Sequence, residues 1–223
     1  MKKLIILGGR GVGMWAAAIA KDLGTFEVLG FLNDVVPIGQ KIGVYQGYNV
    51  LGTSKDVEKF IMKKDVYFFI GYFGLQNEED TFKKICDLNI PNEKLATLIH
   101  PTAYFPKEFC SIGHGVLVAP FARICPDSTI EDNCILMSSC IIGHDSTMKR
   151  FSHLAADSIV GGNVVVGYGA HVGTNATIRE NVTIGNYSLI GSGSVVLNDV
   201  PENAIVVGNP SRVLRIKSPS SSK

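Results

Sequence analysis

The feature that most constrains this chain is a six-residue rhythm that fills its second half. From Ile112, steps of six land on Val118, Ile124, Ile130, Leu136, Ile142, Met148 and Leu154. They continue through Val160, Val166, Val172, Ile178, Ile184, Ile190 and Val196, all aliphatic. Two positions before each stands a small or medium residue, from Cys110, Val116, Ala122 and Ser128 to Ser188 and Ser194. Residues two apart on a strand share a face, so both series point inward. Gly, Asn and charged residues follow most of the aliphatic positions and mark a corner. Short flat faces joined by like corners wind into a solenoid with coils stacked about 4.8 Å apart. A small inward residue beside a larger one suits a triangular section. Three hexads per coil then give an all-β left-handed parallel β-helix.

The first half has a different texture. "KKLIILG", "FEVLGFLND" and "DVYFFIG" read as buried strands, and "MWAAAIAKDL", "TSKDVEKFIMKK" and "NEEDTFKKICDL" as helices, the second capped by Thr53 with Asp56 three residues on. This alternation predicts an α/β domain with a small Rossmann-like parallel sheet. The expected organisation is therefore an α/β unit over residues 1–95, a β-helix over 96–216, and a disordered tail over 217–223, where "SPSSSK" lacks apolar residues.

Composition excludes several classes. A net charge of +1 without a long basic run argues against nucleic acid as a partner. The opening "MKKLIILGGRGVG" breaks at glycines too early to span a membrane, which predicts a cytoplasmic protein. Of five cysteines none forms a CxxC pair, so free thiols are expected, with Cys134 and Cys140 as small core residues.

Several motifs combine with the hexads: the glycine-rich first strand-loop, "GFLND", "LIHPTAYF" (Leu98 to Phe105), "IGHDSTMKRFSHLAADSIVGGNVVVG" and "VVGNPSRVLR". On these the chain resembles the hexapeptide-repeat acyltransferases, and more narrowly the bacterial nucleotide-sugar and sialic-acid acetyltransferases. The resemblance implies transfer of an acetyl group from acetyl-CoA to an amino or hydroxyl group of a sugar. It also implies a homotrimer with acetyl-CoA along the groove between neighbouring helices, a nucleotide-sugar substrate held by the N-terminal domain, and no metal.

Acyl transfer from a thioester needs a base, donors for the carbonyl oxygen, and alignment of both substrates. His144 lies two positions after the inward Ile142, on a corner, with Asp145 adjacent to orient its ring. The resemblance makes this pair the active site and His144 the base. Gly162 falls on the same corner one coil above, about 5 Å away. Without a side chain it lets a thioester approach its N–H, the role the family gives the matching glycine. His153 flanks the inward Leu154 and faces outward with His171 stacked above it, on the face opposite the His144 corner. If both His144 and His153 serve one site, that site spans two subunits. Resemblance places His153 near acetyl-CoA, Gly173 and Gly191 along the pantetheine groove, and Asn209 and Pro210 of "GNP" near the CoA nucleotide. Arg212 and Arg215 are candidates for its phosphates or ordinary surface charges.

The loop Gly8-Gly9-Arg10-Gly11-Val12-Gly13 offers a phosphate cradle of backbone N–H groups at a helix start. It is not a strict GxGxxG, because the last glycine position, counted from Gly9 and Gly11, is Met14. Asn33 and Asp34 end the second strand and Gly71 the third, all expected at the same crevice. N-acetylation of a nucleotide-linked amino sugar is the leading expectation. O-acetylation of sialic acid or a related sugar, and a non-catalytic β-helix scaffold, stay open. A zinc-dependent anhydrase does not fit the spacing of His144, His153 and His171.

Overall fold

The hexads become strands of two residues each. In a computed structural model, which describes residues 1–72 and 78–217, pairs such as Ile141–Ile142 and Ile159–Val160 recur every six residues and bond to the pair eighteen residues on. They stack into three parallel faces. The first runs from Ser111–Ile112 through Thr147–Met148 to Thr183–Ile184. The second begins at Leu98–Ile99 and carries Ile135–Leu136, His153–Leu154 and His171–Val172. The third runs from Arg123–Ile124 through Ile141–Ile142 to Val195–Val196. Both inward series are buried along the axis, so Ile142, Leu154, Ala170 and Val172 are all fully covered. Cys134 and Cys140 belong to this core, and burial pushes each thiol up to about 12.

The corners explain the Asn, Asp and Gly content. One residue per corner is left-handed, with φ of +60° at Asp127, +58° at Asn133, +56° at Asp145 and +54° at Asn163. Asn and Asp tolerate that region better than other L-residues, and glycine is indifferent to it. Phe151 and Tyr187 occupy the same corner position at φ +59° and +56°. The N-terminal domain packs Phe82 against both rings, while Phe121, at the same position with φ +62°, stays exposed.

That domain is built on β1 (Lys2–Leu7), α1 (Val12–Leu23), β2 (Phe26–Leu32), β3 (Lys41–Ile42), β4 (Tyr48–Gly52), α2 (Glu58–Ile61), β5 (Val66–Ile70) and α3 (Glu78–Cys86). Its sheet order is β3-β4-β2-β1-β5, parallel except for the short β3–β4 pair. Two expectations are corrected. β4 was not foreseen, because "YNVLG" is short and carries Asn and Gly. The helix after Thr53 is one 3₁₀ turn, Ser54–Val57, followed by the four-residue α2. Its capping box is nonetheless present, with Thr53 N–H donating to Asp56 Oδ2 at 2.7 Å.

The two parts share buried surface. α1 packs on the outer side of the second face, where Leu98, Leu117 and Ile135 join Ala16, Ile19 and Phe31 in one cluster. Phe82 of α3 stacks on Phe151 at 4.5 Å between centroids, with Tyr168 and Tyr187 around it. A Cβ on Gly169 would come within 2.6 Å of the Phe82 ring, so glycine is what lets the ring seat there. Lys217 Nζ pairs with Glu78 Oε1 at 2.9 Å with both side chains largely covered. The tail expected over 217–223 is thus tied to the fold at Lys217, and its remaining residues lie outside the described ones. No described helix is long and apolar enough to cross a membrane.

Candidate active site

The corner between the third and first faces carries His144 and Asp145. Asp145 adopts the left-handed turn conformation there, which turns its carboxylate back on the neighbouring ring. His144 Nδ1 and Asp145 Oδ2 are 2.6 Å apart. That contact fixes the tautomer with the proton on Nδ1 and leaves the Nε2 lone pair for an incoming proton. Both side chains are more than half exposed, so a substrate can reach them.

Gly162 lies one coil on at the same corner. A Cβ built on it would sit 2.7 Å from His144 Nε2, so any side chain at 162 would collide with the ring. On the corner between the first and second faces, three of the equivalent N–H groups find a side-chain acceptor. His114 N–H donates to Asp132 Oδ1, Arg150 N–H to Glu131 Oε2, and Tyr168 N–H to Asn186 Oδ1. Among the described residues Gly162 N–H has no such acceptor, while its carbonyl takes Asn181 N–H at 3.0 Å. A proton acceptor and an uncommitted donor therefore sit side by side. This is the pairing that acyl transfer needs.

His153 is on the second face, opposite that corner, so within one chain it does not join His144. It faces outward from the β-helix as expected, yet it is only 7% exposed because other parts of the chain cover it. His171 pairs with it in the ladder, their Nδ1 atoms 3.2 Å apart and their rings edge-on. Burial, then the neighbouring His171, holds His153 well below the ordinary imidazole range. Burial and the Lys217 charge lower His171 to about 4.

Gly173 and Gly191 share a third location, the corner between the second and third faces. A Cβ on Gly173 would meet Ile190 O at 2.6 Å, and one on Gly191 would meet Val207 Cγ1 at 2.8 Å. Their N–H groups are spent on the ladder, donating to Ile190 O and Val206 O. Gly208 accepts Val195 N–H at 2.9 Å, which brings exposed Asn209 and Pro210 to the same end of the solenoid. Arg212 and Arg215 lie on the exposed strand that follows.

In the N-terminal domain Gly9, Arg10, Gly11, Asn33, Asp34 and Gly71 gather at the carboxyl ends of β1, β2 and β5. The sheet order reverses between β1 and β5, where open α/β sheets form their ligand crevice. Gly11, at φ +74°, caps α1 with open space at its Cα, and Arg10 is exposed. Gly71 permits close packing: a Cβ there would lie 3.0 Å from Gly13 Cα. Asn33 is mostly committed to the fold. Its Nδ2 donates to Gly8 O at 2.7 Å and its Oδ1 accepts Val35 and Val36 N–H. Asp34 Oδ1 accepts Ser54 N–H at 2.7 Å, and Tyr72 OH is 3.4 Å from Oδ2. Asp34, Ser54, Lys55 and Tyr72 open on a cavity of about 470 Å³ that sequence reasoning missed. Burial and the Asp34 carboxylate raise the Tyr72 hydroxyl above the usual phenol range.

The fold is that of the left-handed β-helix acyltransferases that carry an α/β domain at the front. No curated protein matches the chain. Residues 3–72 match the PglD N-terminal domain family. Among solved structures, the acetyltransferase domain of PglB from Neisseria gonorrhoeae FA1090 has a TM-score of 0.82 at 26% identity, over 96% of this chain and 100% of that one. The same domain in complex with acetyl coenzyme A gives 0.81 at 27% identity, over 96% and 99%. A histidine-to-asparagine mutant of perosamine N-acetyltransferase from Caulobacter crescentus, in complex with CoA and GDP-perosamine, gives 0.81 at 25%, over 96% and 97%. The whole chain thus shares its two-part build with the PglB acetyltransferase domain and the perosamine N-acetyltransferase.

Proposed function

We propose that this protein is an acetyl-CoA-dependent N-acetyltransferase acting on the amino group of a nucleotide-linked amino sugar. The substrate class is a UDP-, GDP- or dTDP-linked 4-amino-deoxysugar of bacterial surface glycan synthesis. The observation that carries this reading is His144, bonded to Asp145 through Nδ1 and set with Nε2 against the side-chain-free Gly162. The sugar amine attacks the thioester carbonyl carbon, so a C–N bond forms and the C–S bond breaks. The amine proton passes to His144 Nε2 and from there to the departing CoA sulfur. Asp145 stabilises the ring while it is charged, and the Gly162 N–H faces the oxygen on which negative charge builds.

In this reading residues 1–95 hold the nucleotide sugar, with Gly9, Arg10, Gly11 and Val12 around its phosphates and Asp34 and Gly71 bordering the same crevice. Asn33 holds that loop in shape. His153, Gly162, Gly173, Gly191, Asn209 and Pro210 line the path of acetyl-CoA. These groups occupy two corners and one face of the β-helix. A homotrimer with each site between two subunits gathers them, and the enzyme works in the cytoplasm, where acetyl-CoA is available. The GDP-perosamine and CoA bound by the Caulobacter enzyme support the substrate class.

The test is thiol release from acetyl-CoA against a panel of nucleotide-linked 4-amino sugars, with sialic acid as the hydroxyl acceptor. Release with an amino sugar and not with sialic acid is expected. No release with any amino sugar overturns the proposal.

A further inference from the structure

The seam between the front domain and the β-helix holds a second cavity, of about 400 Å³. It shares only Ile85 with the Asp34 cavity, and none of its lining residues is assigned above to acetyl-CoA or the nucleotide sugar. Ile70, Ile85, Ile90 and Leu95 wall it from the front domain, and Phe151 from the β-helix. Small ligands favour such apolar hollows between two packed parts, provided a few polar groups converge there.

Two side chains of the β-helix supply those groups. Asn133 is 7% exposed, and its Oδ1 has no hydrogen-bond partner among the described residues. That oxygen is turned to Gly115, where a Cβ would collide with it. The other branch of the amide, Nδ2, is not sealed off in this way and donates to no described residue, so it is the donor that Asn133 offers the cavity. A buried amide without partners calls for an explanation, and a ligand acceptor is one. Arg150 is the only charged side chain among the described lining residues. Its guanidinium carbon lies 5.6 Å from the Phe151 ring centroid, and its Nε is 3.9 Å from Asp132 Oδ2, too far for a hydrogen bond. Asp132 is itself spent on the fold, with Oδ1 accepting His114 N–H and Oδ2 3.4 Å from Asn92 Nδ2.

A guanidinium fork and an amide N–H suit the two oxygens of a carboxylate. One cation, already partly met by Asp132, balances a single negative charge and not a dianion. The apolar walls favour an apolar body behind the headgroup. We propose that this seam binds a small monocarboxylate carrying a ring or short chain, its headgroup on Arg150 and Asn133 Nδ2 and its body against Ile70, Ile85, Leu95 and Phe151. The ligand touches both parts of the chain, so its binding strengthens their docking. The site is independent of the acetyl transfer proposed above.

Cys86 lines the same cavity with a free thiol and serves as reporter. Its alkylation by iodoacetamide, followed by peptide mass spectrometry, is measured with benzoate, hexanoate, acetate and inorganic phosphate at equal millimolar concentrations. Benzoate or hexanoate should slow alkylation of Cys86, leave Cys110 and Cys125 unchanged, and raise the melting temperature. Acetate, which lacks the apolar body, and phosphate, with its second charge, should do neither. Arg150→Gln should weaken the protection about tenfold, the loss of roughly one charge-assisted hydrogen bond. Asn133→Asp keeps a residue type found at other left-handed corners and removes the N–H donors, so protection should fall by a similar factor. Should Asn133→Asp fail to fold, Arg150→Gln decides, since that side chain is partly exposed. No slowing by benzoate or hexanoate, equal slowing by acetate or phosphate, or full protection in Arg150→Gln overturns the proposal.

Discussion

At the residue scale the candidate active corner rests on two atoms of contrasting character, a ring nitrogen with a lone pair and a backbone N–H that has no acceptor among the described residues. His144→Ala should lower kcat by about 10²- to 10⁴-fold, the usual contribution of a general base. Acetyl-CoA affinity measured by calorimetry should be little changed, because the ring is assigned to proton transfer. Gly162→Ala is the sharper probe. Its added Cβ would lie 2.7 Å from His144 Nε2. The 162 backbone is not left-handed, so a thermal melt should stay near wild type while turnover falls. Much of this corner was legible in the sequence, since a spacing of eighteen residues places two side chains on one corner of a three-hexad coil. The lining of the Asp34 cavity was not, because Ser54, Lys55 and Tyr72 come from separate segments that no local period connects. Nor was the burial of His153, which depends on parts of the chain remote in sequence.

The histidine stack also dictates a pH response. Both rings have folded pKa values below the unfolded value of about 6.5. Between that value and the folded one the unfolded chain binds more protons, so acid draws the equilibrium toward unfolding. Stability is complete above about pH 6.5 and is lost as pH falls toward 4. The cost from His171 alone is about 3 kcal/mol. Urea midpoints should fall between pH 7 and pH 4.5, and His171→Asn should flatten that dependence. An unchanged slope in the variant would assign the acid sensitivity to other groups.

At the element scale, α3 is the piece that ties the front domain to the solenoid. Phe82 closes on Phe151, Tyr168 and Tyr187, and its seat exists because residue 169 is glycine. Phe82→Ala should cost about 3–5 kcal/mol, the range for deleting a buried aromatic ring. Protease sensitivity should rise in residues 1–95 before the β-helix is cut. The β-helix itself was readable residue by residue, because two interlocked series of period six admit one winding. The front domain was readable as a class only. Its third parallel strand, Tyr48–Gly52, pairs with β2 through a register shift, which blurs alternation. The docking was hidden because Phe82 and Phe151 are far apart in the chain. A partial signal did exist: Phe151 and Tyr187 stand where most corners carry Asn, Asp or Gly, although Phe121 holds the same position while exposed.

At the scale of the whole molecule, His144 sits on the corner opposite the second face, against which the front domain packs. If sites form between subunits, two inactive variants should rescue one another. His144→Ala chains and Gly11→Trp chains, co-refolded, should form mixed trimers in which some sites have both halves intact. Recovered turnover approaching a quarter of wild type is expected on random mixing, and none is expected if every site lies within one chain. Separate refolding followed by mixing provides the control.

The far end of the solenoid bears on another matter, the growth of fibres. A stack of parallel coils ends in a row of backbone groups that could template a further coil from another molecule. Here the row is closed from within. Val195 N–H bonds to Gly208 O, Ser211 N–H returns to Val195 O, and Arg212–Ile216 folds back antiparallel on Ala204–Val207. The strand left at the rim is short and carries Arg212 and Arg215, charges that repel a like neighbour. A chain cut after Val207 would end on an open ladder, and light scattering should show it polymerising end to end while the full chain stays dispersed.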